Sequence, residues 1–172
     1  MKNQHAIFSI TIIVILFLFT LSSCEKDPID GDIVIDNELL DMLYSESTDT
    51  LVIANQRLVL NTYLYRNFFP GGAPRTRPLI AHTYIVNIDS IQIPDNIDVT
   101  KLYIVNNGQI WIPSPDVCDN CFYPDFELHS TYTDGPEWET GIYVDVIIEI
   151  TDFNTSNNYY LIAEDQLIWK VE

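Results

Sequence analysis

A chain of 172 residues with 25 Asp and Glu against 8 Lys and Arg carries a formal net charge of -17, which excludes nucleic-acid binding, since phosphate contacts need a surplus of cations. The length suits one domain and leaves no room for separate cofactor and substrate domains. A hydrophobic share of 47% is ample for a packed core and excludes wholesale disorder.

The chain opens with Lys2 and an apolar run from Ile7 to Leu21, broken only by Ser9, Thr11 and Thr20. This run falls short of the roughly 20 residues that span a bilayer, and small residues follow it, so residues 1–23 read as a secretory signal peptide. Leu21-Ser22-Ser23-Cys24 resembles the lipobox of bacterial lipoproteins, with Ser23 where Gly or Ala is commonest. The resemblance implies that Cys24 becomes the lipid-modified first residue of the mature chain. Membrane attachment would then gain about 0.8 kcal/mol per buried CH₂ group. The plainer alternative is a secreted protein with a coincidental Cys24. Glu25-Lys26-Asp27-Pro28 looks like the export tags of Bacteroidota surface lipoproteins, and reads equally well as a solvated tether. Residues 25–49 hold nine acids and one Lys. Such a segment repels itself and extends, so 24–49 is expected to be an acidic tether of marginal structure. Within it, Glu38 to Tyr44 has the pattern of one or two amphipathic helical turns.

From residue 50 the hydrophobic period becomes two. Leu58 to Tyr65, Leu79 to Val86 and Phe126 to Tyr132 alternate and are rich in β-branched or aromatic residues. Leu102 to Val105 and Gln109 to Ile112 flank Asn106-Asn107-Gly108, a hairpin signal because Asn-Gly tolerates positive φ. Ile142 to Ile150 is the strongest strand; Tyr159 to Ala163 and Leu167 to Val171 are predicted as two more. Many strands without a long helix predict an all-β domain over residues 50–172: a single antiparallel immunoglobulin-like sandwich, with a small β-barrel as the competing architecture.

Few residues carry chemistry. Cys118-Asp119-Asn120-Cys121 lies among turn formers between Pro115 and Pro124. No second CxxC or His pair completes a zinc set, and export favours oxidation, so a local disulfide is expected, with reduced or redox-active thiols as alternatives. Asp134, Glu137 and Glu139 flank Trp138 in one loop. Those carboxylates have the chemistry for Ca²⁺ or for an acid/base pair, and the same loop reads as a polar turn with Trp138 over the end of the domain. Arg66, Arg75 and Arg77 bracket an aromatic loop from Phe68 to Pro78; Arg forks grip carboxylate or phosphate, or else pair with the surplus acids. His82 and His129 each fall within a predicted strand, and no HExxH, G-x-S-x-G or phosphate-cradling glycine loop occurs. The aromatics offer material for a sugar-stacking platform, although most are needed for the core; Trp111, Trp138 and Trp169 are the test positions.

Asn61 to Pro70, Leu102 to Trp111, Asp134-Gly135-Pro136 with Gly141 to Val146, and Tyr160 to Gln166 resemble blocks of small exported bacterial proteins of unknown function. That resemblance implies a compact β domain and no particular activity. Asp49-Thr50-Leu51 and Asp89-Ser90-Ile91 fit the short O-glycosylation pattern of Bacteroidota, adding weight to export. The expectation is therefore a lipoprotein anchored through Cys24 in the cell envelope, at the outer membrane. It is expected to act as a non-catalytic module binding an envelope protein or a glycan, with no cofactor other than calcium at Asp134, Glu137 and Glu139. The alternative is a small carbohydrate-active hydrolase using Glu137 and Glu139.

Overall fold

A computed structural model describes residues 33–70, 76–114 and 123–172. In chain order its elements are β1 (Ile33–Val34), α1 (Asn37–Glu46), β2 (Ser47–Thr48), β3 (Thr50–Ile53), β4 (Gln56–Asn67) and β5 (Leu79–Asn87). They continue as β6 (Ile97–Asn106), β7 (Gln109–Trp111), β8 (Glu127–Tyr132), β9 (Tyr143–Asp152) and β10 (Asn157–Val171). The molecule is mostly β, as its alternating sequence requires, with one short helix among the described residues.

The strands form one 10-stranded sheet in the order β1-β7-β6-β9-β10-β4-β5-β8, with β2 beside β10 and β3 beside β4. The sheet curls into an open half-barrel. Its two wings are joined by β10. Tyr159 to Ala163 and Leu167 to Val171, predicted as separate strands, belong to one strand broken only by a bulge between Ala163 and Gln166. At the bulge Asp165 takes φ 54, and its N–H donates to Asp145 at 2.9 Å. Residues before the bulge pair antiparallel with β9, while Ile168 to Val171 pair in parallel with Leu64 to Asn67 of β4. One strand thus joins both wings of the sheet.

The inner faces of the wings meet in a single core. Val144, Val146, Ile148 and Ile150 of β9 share it with Leu58, Leu60 and Leu64 of β4 and with Leu79, Ala81 and Ile85 of β5. The predicted hairpin is present, with Asn107 and Gly108 both at positive φ (49 and 80).

The outer face of the β6–β9–β10 wing is covered by α1. Asp36 caps the helix by accepting from the N–H groups of Glu38 and Leu39, each at 2.9 Å. Leu43 is fully buried in a second cluster with Tyr103, Val105, Ile110, Ile112 and Ile147, and Leu39 and Leu40 pack against it. Tyr44 donates to Asp145 at 2.5 Å, tying the helix to β9. The expected tether is thereby corrected from Ile33 onward: β1, α1 and β2 are part of the folded body, because this helix buries an apolar stripe that local charge density conceals. Both faces of β9 are consequently buried, which explains its nearly unbroken apolar run.

Candidate ligand-binding face

The β4–β5–β8 wing has no helix on its outer side among the described residues. Alternation decides what stands there. Leu58, Leu60 and Leu64 of β4 point into the core, so Asn61, Tyr63 and Tyr65 point out. In β5 the outward residues are Ile80, His82, Tyr84 and Val86; in β8 they are Glu127, His129 and Thr131. Register places Tyr63 opposite His82 and His82 opposite Thr131, then Asn61 opposite Tyr84 and Tyr84 opposite His129. Trp169 joins this face beside Tyr65, since its neighbour Ile168 is buried opposite Leu64.

The rings lie against one another. Tyr84 and His129 are stacked at 4.4 Å with planes 10° apart, and His82 stands 5.7 Å from His129 and 5.8 Å from Tyr65. Tyr123 meets His129 edge-on at 4.3 Å. Despite this packing the patch is open to solvent, with Trp169 52%, Tyr63 42% and Tyr123 41% exposed. His82 Nδ1 and the Thr131 hydroxyl are hydrogen-bonded at 2.9 Å. Burial holds both imidazoles below their ordinary pKa, and for His129 the neighbouring His82 adds to the effect. His129 Nε2 is buried without a partner among the described residues, so a proton there would be poorly accommodated. The centre of the face is accordingly uncharged at neutral pH. Among the described residues the charges on this face are Glu127, next outward residue to His129 along β8, and Arg57 paired with Asp89 (2.7 Å).

The two loops singled out in sequence come together at one end of this wing. Arg66 is buried and donates from Nε to the Arg77 carbonyl at 2.6 Å, and from Nη1 to the carbonyls of Trp138 (2.7 Å) and Glu137 (3.1 Å). Glu137 lies 3.6 Å from Arg66 and accepts from the Arg77 N–H at 2.7 Å. Arg66 therefore clamps one loop to the other, and its guanidinium is occupied by the protein itself. Trp138 is half-buried, donating to Gln109 at 3.2 Å, and Trp111 is fully buried. Asp134 and Glu139 are exposed, and no group of three or more potential metal ligands forms among the described residues. Gly135 explains the shape of that loop: an added Cβ would sit 2.6 Å from Trp111 and 2.8 Å from Leu79. Cys24, Arg75, Cys118 and Cys121 lie outside the described residues.

One carboxylate that the sequence did not suggest is the enclosed Glu149, on the outer side of β9. It accepts from Tyr103 (3.1 Å), Thr100 (3.2 Å), Asn158 (3.2 Å) and Tyr160 (3.4 Å), with Lys101 at 3.8 Å. Burial and this carboxylate push both phenols above their usual pKa, so neither is prepared to act as an anionic nucleophile. The cluster satisfies a buried charge. No protein-family model, curated protein or solved structure matches the chain.

Proposed function

We propose that this protein is a non-catalytic binding module, held in the bacterial envelope by a lipid on Cys24, that takes a neutral glycan on the outer face of β4, β5 and β8. The observation that carries the reading is the contrast between the two wings: α1 covers one, while the other leaves a rigid, uncharged aromatic strip in water. Exposed aromatic patches of this kind mark interaction sites. A neutral polyol suits it, because the strip offers apolar ring surface together with phenol, imidazole, Asn61 and Thr131 hydrogen-bonding groups, with Glu127 at its edge. Rings already packed against one another lose little conformational freedom on binding. The net charge of -17 disfavours polyanions and a second copy of the chain alike. Glu137 is engaged in the loop clamp, which favours binding over hydrolysis by Glu137 and Glu139. In the same reading the two wings serve as the layers of an immunoglobulin-like sandwich open along one seam.

The test is retention of the detergent-purified protein on insoluble cellulose, chitin and mixed β-glucan. The reading expects retention on at least one, weakened about tenfold by Trp169→Ala or Tyr63→Ala, as for loss of one anchoring aromatic. It expects no release of soluble sugar. Absence of retention, or retention indifferent to both substitutions, overturns the binding face; sugar release abolished by Glu137→Gln overturns the non-catalytic assignment.

A further inference from the structure

Five cations stand among the described residues against 19 carboxylates, so in this protein an unpaired cation is the exception. Arg57, Arg66, Lys101 and Lys170 each lie within ion-pair distance of an acid. The Arg77 guanidinium has no carboxylate within that reach among the described residues; it lies over Phe68, 4.6 Å from the ring centroid.

Topology assembles the surroundings of Arg77. The parallel pairing of β4 with β10 sets Lys170 beside Arg66, and the antiparallel pairing of β4 with β5 sets Leu79 on the other side. Phe68, leaving β4, and Arg77, approaching β5, therefore return to the same rim. Lys170 Nζ and Arg66 Cζ lie 5.3 and 5.5 Å from the same Phe68 centroid. Three cations gathered round one ring make this rim locally positive on an acidic protein. Arg66 is satisfied by three carbonyls and Glu137; it holds the Arg77 carbonyl, while Glu137 holds the Arg77 N–H. The Arg77 fork keeps its donors free of any carboxylate among the described residues, and the Lys170 side chain is half exposed. Lys170 contacts Glu172, but both groups are about half exposed or more (49% and 65%), which makes the pair weak and displaceable.

We propose that Arg77 and Lys170, held around Phe68, form a binding site for a compact oxyanion, a carboxylate or a phosphate. The planar guanidinium would take two anion oxygens and the ammonium a third contact. The site is independent of the aromatic face: Lys170 points to the opposite side of β10 from Trp169.

The test is an NMR titration of the full ¹⁵N-labelled chain in detergent with inorganic phosphate, acetate and galacturonate. Salt is held near 0.1 M, where exposed charges are screened beyond about 10 Å. Saturable shifts of the Arg77 Nε signal and of the Phe68 and Lys170 amides are expected with at least one anion. Phosphate alone acting would assign a phosphate ligand, and acetate and galacturonate alone a carboxylate. Arg77→Gln should raise Kd about tenfold or more, the loss expected for a bidentate charged contact, and Lys170→Gln should raise it less. Neither should lower Tm, because the loop clamp uses only the Arg77 backbone. Shifts that fail to saturate with every anion, or that survive unchanged in Arg77→Gln, would show diffuse attraction and overturn the site.

Discussion

Arg66 spends its donors on the carbonyls of Arg77, Glu137 and Trp138, deep at the junction of two loops. Arg66→Met would leave those carbonyls without donors and should cost about 3 kcal/mol, measured by urea denaturation; a loss below about 0.5 kcal/mol would remove the clamp. Gly135→Ala forces a methyl into Trp111 and Leu79 and should cost about 1–3 kcal/mol by overpacking. His82 and His129 make the stability pH-dependent with a defined sign. Their folded-state pKa values are lowered, so the unfolded chain binds protons first as pH falls through about 6.5. Their neutral forms therefore support full stability above that pH, and stability declines from there toward the lowered values. Replacing both by Gln should flatten the pH 5–7 part of a Tm profile, and an unchanged slope would contradict the assignment. Arg66 and Glu137 were legible in the sequence as candidates, but not as partners, because 70 intervening residues give no clue that their loops dock.

The strands were the most legible elements. Leu58 to Tyr65 and Leu79 to Val86 declare their inward and outward faces by alternation, and β4 and β5 follow that parity. The same alternation already held the aromatic strip, since Tyr63, Tyr65, His82 and Tyr84 all share the outward parity. What hid it was the absence of any local sign of which face would stay uncovered. One element, β10, was misread for physical reasons. Glu164-Asp165-Gln166 has the composition of a turn, yet forms a bulge within β10, where the Asp145 carboxylate receives the Asp165 N–H. The parallel contact of β10 with β4 depends on long-range packing that no local pattern encodes. The helix itself was legible as amphipathic turns over Glu38 to Tyr44; what the surrounding charges hid was its docking through Leu39, Leu40 and Leu43. Leu43→Ala should therefore cost about 2–5 kcal/mol. A chain beginning at Thr50 would expose Tyr103, Val105, Ile110 and Ile147, and should bind a hydrophobic dye or aggregate. Stable, dye-silent behaviour of that truncation would contradict the docking of α1.

At the scale of the whole molecule, the acidic charge and the open half-barrel act together. A net charge of -17 works against the compact state, so moderate salt should raise Tm; a Tm that is flat or falling with added NaCl would contradict this. On the proposed reading, the aromatic face of β4, β5 and β8 is the surface that takes a neutral ligand. That claim is tested most directly by NMR shift mapping with a soluble oligosaccharide of whichever insoluble glycan retains the protein. Perturbations should concentrate at Tyr63, Tyr65, His82, Tyr84, His129 and Trp169, leaving Leu43 and the α1 face unmoved. Perturbations centred on α1, on the loop from Asp134 to Gly141, or spread evenly over the molecule would contradict the account.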